Sequence, residues 1–396
     1  MTPASPESGR GGFPAGKPAV GTSSRLNRFI GSIALILISS IMALVLGEAI
    51  VRVFAPTETM SRFNEDFQGL KAVRPNVHGF HQIPDTFRKE YSTSAQRFRG
   101  QRMYAQSPAP ATLRIAVLGD SFTFGWGATD DETYPGNLER ILSHDIGAVE
   151  VINAGALGDG TGDEALWYDA WVSNFHSQLV VLTVVPNDTD DDLDRTLFEV
   201  SPSGEAEPLS RERLQHYRPS QNGIARIIHA IPGFEYLAEH SQLMNLFRRV
   251  VSLKIRDRRI DRWQTAKDGH PFETVGLPLL AGEVAWLNRR VQQSGARLAV
   301  VFVPFRETIY PDSRVPKPEI DKAGEMIATL AQVCAREKIP FHDTTSEMKA
   351  EAAAGKVPLY YMSDYDAHPT PAGYRAIAQN VAAFIVSQFQ FKQTSR

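Results

Sequence analysis

At 396 residues, 42% of them hydrophobic and 22% charged, the chain has room for one large globular domain plus accessory segments. Its 42 Lys and Arg against 45 Asp and Glu leave a formal net charge of -3, which gives no basic surplus for a nucleic-acid partner. One cysteine, Cys334, excludes an intrachain disulfide, and its helical setting "TLAQVCAREK" reads as a small buried thiol.

Residues 1–28 are rich in Gly, Pro and Ser and read as a disordered cytoplasmic tail. Within it "GGFPAGKP" imitates a phosphate loop, but Pro18 stands where the magnesium-holding Ser or Thr belongs and no strand precedes it. From Phe29 to Gly47 nineteen residues pass without a charge. As a helix that run spans about 28 Å, close to the hydrocarbon core of a bilayer. Glu48 and Arg52 mark its exit, so residues 29–53 read as a single transmembrane anchor. A cleaved signal peptide is the rival reading; the long polar segment ahead of the run and the lack of an A-x-A site after it favour the anchor. Lys17, Arg25 and Arg28 precede the run and Arg52 and Arg62 follow it, which places the bulk of the chain outside the cytoplasm, in the periplasm or at the cell surface.

Residues 54–112 show scattered Pro, Gly and aromatics without periodicity, as expected of a spacer lying against the main domain. From residue 113 the pattern sharpens. Apolar runs suited to buried parallel strands occur at Arg114–Leu118, Val149–Ala154, Leu179–Val185 and Leu298–Val303, with a weaker one near Phe341. Helical patterns fall at Tyr134–Ser143, Asp163–Asn174, Gly282–Ser294, Glu319–Arg336 and Pro371–Gln388. This alternation over 113–392 predicts a three-layer α/β/α sandwich around a parallel sheet. Residues 200–280 break it and read as an insertion, a lid or cap.

Ligands of open parallel sheets bind beyond the C-terminal strand ends. Four candidate groups converge there: Ser121 after the first strand, Gly158 in "NAGALGDG", Asn187 in "VVPND", and Asp366 with His368 in "SDYDAHPTPAGY" ahead of the last helix. The set suits acyl transfer. A serine hydroxyl needs an imidazole to take its proton and an acid to fix that imidazole. The oxyanion then needs preorganised donors, which a close-approaching glycine N–H and an asparagine amide supply. Blander readings stay open: Ser121 as a helix cap, His368 as a surface histidine, Gly158 and Asn187 as turn formers. Asp120 and Asp188 are expected to hold loops by hydrogen bonds. The acidic run "NDTDDDLDRTLFE" places Asp188, Asp190, Asp192 and Glu199 at EF-hand spacings, but Leu193 occupies the obligatory glycine position, so a solvated acidic loop is expected. The basic stretch Arg248–Trp263 reads as a solvated helix face, with anionic polysaccharide or lipid headgroups as the alternative.

"GDSFTFG", "NAGALGD", "PND" and "DAHP", in this order, resemble the four blocks of the SGNH/GDSL hydrolase family. The resemblance implies a flavodoxin-like five-stranded sheet, no metal or organic cofactor, and Ser121 as nucleophile. It implies His368 as general base, Asp366 as its orienting acid, and an oxyanion hole of Ser121 N–H, Gly158 N–H and the Asn187 amide. Two positions depart from the family pattern. Val185 replaces the glycine of the third block, and the last block is D-x-H rather than D-x-x-H, with Asp364 as the alternative acid. Val303–Asp312, "VPFRETIYPD", looks like a segment of alginate O-acetyltransferases, whose block order is the reverse of this chain's. The function implied is a membrane-anchored serine esterase acting on an acyl ester, acetyl foremost, of cell-surface or exopolysaccharide sugars. An O-acyltransferase using the same acyl-enzyme and a silent carbohydrate-binding scaffold are the alternatives.

Overall fold

The architecture is that of a computed structural model. It describes residues 22–54, 64–67, 70–83, 86–195, 197–201, 205–210, 233, 236–237, 240–247, 272–310, 317–355, 357–362 and 366–389. Two units result, Met1–Ala55 and Pro56–Arg396. Among the described residues the first contains one helix, α1 (Thr22–Phe54). Its stretch Arg28–Phe54 is long and apolar enough to cross a membrane, a test that a signal sequence near the N-terminus also passes.

The second unit opens with two antiparallel hairpins where an irregular spacer was expected. Strands β1 (Asn64–Phe67) and β2 (Leu70–Val73) form one, β3 (His78–Ile83) and β4 (Phe87–Ser92) the other. Pro, Gly and aromatic residues hid the strand periodicity because these short strands pack through single side chains rather than through a regular apolar face. Phe67 meets Trp167 and Trp171 edge-on at 5.9 and 5.5 Å, and His81 stacks on Trp126 at 4.4 Å.

The core then alternates. Strand β5 (Leu113–Leu118) leads through α2 (Ser121–Phe124) and α3 (Tyr134–Ile146) to β6 (Val149–Asn153), and α4 (Thr161–Ala170) leads to β7 (Leu179–Val184). After α5 (Asp188–Arg195) and the hairpin β8 (Phe198–Val200)–β9 (Ala206–Pro208) come α6 (Leu277–Gln293) and β10 (Arg297–Phe302). The short α7 (Arg306–Ile309), α8 (Lys317–Glu337), β11 (Phe341–Asp343), α9 (Thr345–Ala354) and α10 (Pro371–Gln388) complete the unit. The five core strands are all parallel in the order β11-β10-β7-β5-β6. Counted within the sheet this is 2-1-3-4-5, the flavodoxin-like order whose ligands sit at the carboxyl strand ends.

Burial alternates with period two along the strands. Val180, Leu182 and Val184 of β7 join the cluster under α4, α6 and α8, while Leu179 and Val181 join the one under α3 and α10. Each such side chain contributes roughly 1.5–3 kcal/mol on removal from water.

Two expectations change at residues 188–280. The acidic run is the helix α5, not a solvated loop. Asn187 O accepts from the N–H groups of Asp190 and Asp191 at 2.9 and 3.0 Å, so the helix starts at Asn187. Three aspartates then occupy its first turn, where the positive end of the helix dipole favours them. Asp188 and Asp192 are buried, which also removes the EF-hand reading. Both edges of the expected insertion belong to the core: Ala206 packs against Gly282 of α6 at one end, and Phe272, Leu279 and Leu280 are buried in the same cluster at the other. The phosphate-loop mimic at 11–18, the basic stretch 248–263 and Asp364 lie outside the described residues.

Candidate active site

The site forms where β5, β6 and β7 end, with the entry to α10 folded over them. Strand β5 stops at Gly119, whose φ of +152° and contact with Thr123 leave no space for a Cβ. Asp120 then caps α2, its Oδ1 accepting from Phe122 N–H at 2.8 Å. This turn holds Ser121 at the first position of α2, so the serine is neither within the strand nor the capping residue.

Ser121 Oγ lies 2.8 Å from His368 Nε2 and 3.2 Å from Asp120 Oδ2. His368 Nδ1 is 3.1 Å from Asp366 Oδ1, which also accepts the His368 backbone N–H at 2.8 Å. Asp366 can only accept, so Nδ1 carries the imidazole proton and Nε2 faces the hydroxyl as acceptor. The Asp366 side chain is 4% exposed and that of His368 26%. Burial pushes the Asp366 carboxyl up, but the bonds from His368 and the Trp126 indole outweigh it and hold the group below its ordinary range. Ser121, His368 and Asp366, 247 and 2 residues apart along the chain, thus form one hydrogen-bonded line.

The two other candidates join this line through their loops. Ala156 N–H donates to Gly119 O at 3.0 Å, tying the "NAGALGD" loop to the serine turn. Gly158 follows with φ +69° and is exposed, and its N–H meets no protein acceptor among the described residues. Asn187 Nδ2 donates to Asp191 Oδ2 at 2.6 Å, which uses one of its two amide hydrogens. Asp188 does hold loops: its Oδ2 accepts from Val185 N–H and Thr161 Oγ1–H, both at 3.3 Å.

Several supporting residues carry no motif of their own. Trp126 Nε1–H donates to Asp366 Oδ2 at 2.6 Å, and Trp126 O accepts from Tyr374 at 2.8 Å. His81 stacks between Tyr91 and Trp126, each at 4.4 Å; burial first, then Arg99 and His368, push its pKa well down and keep it neutral. Arg99 reaches Phe124 O, Gly125 O and Ala128 O, bracing the loop after the serine. Arg306, in the "FRETIYP" segment, donates to Tyr361 O and Asp366 O at 3.1 and 3.2 Å and so fixes the loop that bears the acid. The only forewarning was position: Trp126 lies in the serine stretch itself, and Arg306 in a segment singled out for another resemblance.

Behind the Gly158 and Asn187 loops, Asp163, Glu164, Asp188, Asp192 and Glu283 are buried side by side. Burial raises all five, Asp163 to about 6 and Asp192 to about 7. Arg195 pairs with Asp163 at 3.0 Å, and Asp192 Oδ1 accepts from Gly162 N–H at 2.9 Å. Among the described residues, no group of three or more His, Cys, Asp or Glu side chains is arranged to hold a metal ion.

A sequence profile of the GDSL-like lipase/acylhydrolase family matches residues 117–376, from the end of β5 into α10. The chain belongs to this family. It is therefore a serine hydrolase of ester bonds, and the match carries the hydrolase resemblance rather than the alginate O-acetyltransferase one. No curated relative matches the sequence. Among solved structures the GDSL chain is similar to TesA, at 13% identity and a TM-score of 0.39, over 70% of this chain and 99% of that one. It is similar to LAE5, an alpha/beta hydrolase from the metagenome of Lake Arreo, Spain, at 13% identity and a TM-score of 0.41, over 70% and 97%. It is similar also to a catalytic mutant of Axe2, an acetylxylan esterase from Geobacillus stearothermophilus, at 12% identity and a TM-score of 0.39, over 72% and 97%.

Proposed function

We propose that the chain is a membrane-anchored esterase that removes a short acyl group, acetyl foremost, from cell-surface or exopolysaccharide sugars on the outer side of the plasma membrane. The observation that carries the catalytic part is the contact of Ser121 Oγ with His368 Nε2 at 2.8 Å, in line with Asp366. Ser121 Oγ attacks the ester carbonyl while its proton passes to Nε2. The negative oxygen is held by the N–H groups of Ser121 and Gly158 and by the Asn187 amide. As the tetrahedral centre collapses, the alkoxide leaves with the proton from Nε2. Water then attacks the acyl-Ser121, gives its proton to Nε2, and releases the acid with Ser121 restored. Asp366, ionised by its three donors, steadies the imidazolium in both halves.

The sugar side of the reading is supported by the partly exposed rings near His368. Phe87 lies 4.6 Å from Tyr361, and Phe305 lies 5.6 Å from Phe122, which itself stands 5.2 Å from the imidazole. Aromatic faces of this kind suit the apolar face of a pyranose. The anchor is supported by the apolar stretch of α1, and its orientation by the excess of Lys and Arg ahead of that stretch.

The test is acetate release from acetylated xylo-oligosaccharides against hydrolysis of p-nitrophenyl palmitate, with unacetylated oligosaccharide added as acceptor. The proposal expects Ser121-dependent acetate release, little turnover of the palmitate and no acetyl-sugar gained by the acceptor. Preference for the long chain overturns the substrate class. Acetyl capture by the acceptor faster than by water overturns hydrolysis in favour of acyl transfer.

A further inference from the structure

Two side chains of the first hairpin end on consecutive carbonyls of the "NAGALGD" loop. Asn64 Nδ2–H donates to Leu157 O at 2.7 Å, across 93 residues of sequence. Lys71 Nζ donates to Gly158 O, across 87 residues, and pairs with the buried carboxylate of Asp159 at 3.0 Å. We infer that this hairpin is a working part of the esterase, with Asn64 and Lys71 as positioning residues that aim the Gly158 N–H at the developing oxyanion. The inference rests on the reading of Gly158 as an oxyanion donor.

The geometry follows from the planarity of the peptide. Leu157 C=O and Gly158 N–H belong to one trans unit, so they point in opposite directions. Holding the carbonyl on Asn64 therefore holds the N–H on the side away from the hairpin. That N–H meets no protein acceptor among the described residues. The next peptide is held by Lys71 through its carbonyl, so Gly158 is fixed on both flanks. Such fixing is needed at this residue. Gly158 sits at φ +69° in an exposed loop and, lacking a Cβ, can reach several other backbone regions at small cost, some of which turn the N–H aside. An oxyanion donor is effective only when it is in place before the charge develops.

The Asn187 amide donates to the Asp191 side chain, whose carboxyl burial pushes up to about 8. The hairpin 64–73 borders the Gly158 loop as a component of the site.

The test uses the full chain in detergent, with p-nitrophenyl acetate as substrate. Wild type is compared with Asn64→Leu, Lys71→Met, Lys71→Arg and Ser121→Ala for kcat, KM and melting temperature. The inference expects Asn64→Leu and Lys71→Met to lower kcat by about 10- to 100-fold, somewhat less than outright loss of a donor. It expects KM to stay at the wild-type value and Lys71→Arg to keep most of the rate. Lys71→Met also leaves the buried Asp159 carboxylate unpaired and so lowers the melting temperature, and the fall in kcat at constant KM in the folded variants is the readout. A merely structural hairpin would move the melting temperature and leave the balance of kcat and KM alone. If Asn64→Leu loses its fold, the Lys71→Met and Lys71→Arg pair decides. Wild-type kcat in both donor-deleting variants, beside an inactive Ser121→Ala, overturns the inference and leaves the proposed esterase standing. A wild type without Ser121-dependent turnover overturns both.

Discussion

Replacing Trp126 with Phe isolates one bond of the catalytic line. The indole Nε1–H donates to Asp366 Oδ2 at 2.6 Å, while Oδ1 receives the backbone and ring N–H groups of His368. Phe keeps the ring that packs between His81 and Phe87 but removes the donor, leaving Oδ2 buried and without its partner. A hydrogen bond to an ionised group contributes roughly 1.5–3 kcal/mol. At about 1.36 kcal/mol per factor of ten, its loss lowers kcat/KM by at most about 10- to 150-fold, reached where the bond gains its full strength only between the free enzyme and the transition state. A second signature is the pH dependence. The donors hold the folded carboxyl below its unfolded value, so the stability it contributes is present above the unfolded value and fades as pH falls through the folded one. Without the indole the folded value rises toward the unfolded one, so the contribution is smaller and is gone at a higher pH, and the acid limb of kcat/KM moves up with it. The assay is kcat/KM from pH 4 to 9 beside thermal melts at the same values. Unchanged activity and an unmoved acid limb in a folded Trp126→Phe would refute the claim that this bond keeps Asp366 ionised and oriented.

Asn187→Ala should lower kcat more than it raises KM, because its bond to the oxyanion strengthens in the transition state; a rise in KM alone would make it a ground-state binder. The buried carboxyls give a stability prediction of opposite sign to Asp366. Their folded pKa values are raised, so their contribution is full below the unfolded values and is lost as pH climbs through about 6 for Asp163 and about 7 for Asp192. The melting temperature should fall between pH 5 and 8, and Asp192→Asn should flatten that fall; an identical slope in the variant would remove Asp192 from the account. Deleting residues 1–53 should release a soluble, active unit, and an insoluble product would make α1 part of the fold.

Much of the site was legible because three motifs sit at strand ends that the topology makes converge and the fourth at the entry to the last helix, folded over them. Ser121, His368 and Asp366 needed only the order of strands to meet. Less legible was whatever depends on a single long-range side chain. Asn64 and Lys71 occupy short strands in a Pro- and Gly-bearing segment, and nothing in "NEDF" or "LKAV" announces a loop some 90 residues on. Arg99 and Arg306 act through backbone carbonyls, which leave no mark in the sequence. The misreading of α5 has a different cause. Five aspartates suggest solvation, yet Asn187 opens the helix, three of the acids favour its dipole, and burial of Asp188, one of those three, and of Asp192 pushes their carboxyls up.

The central claim is that Ser121 is an activated nucleophile. Its most direct test is fluorophosphonate labelling of the full chain in detergent, read by intact mass beside Ser121→Ala and His368→Ala. The account predicts one adduct on the wild type, none on Ser121→Ala, and slow or no labelling of a His368→Ala variant that melts near the wild-type temperature. An unlabelled, folded wild type, or an adduct that survives Ser121→Ala, would contradict it.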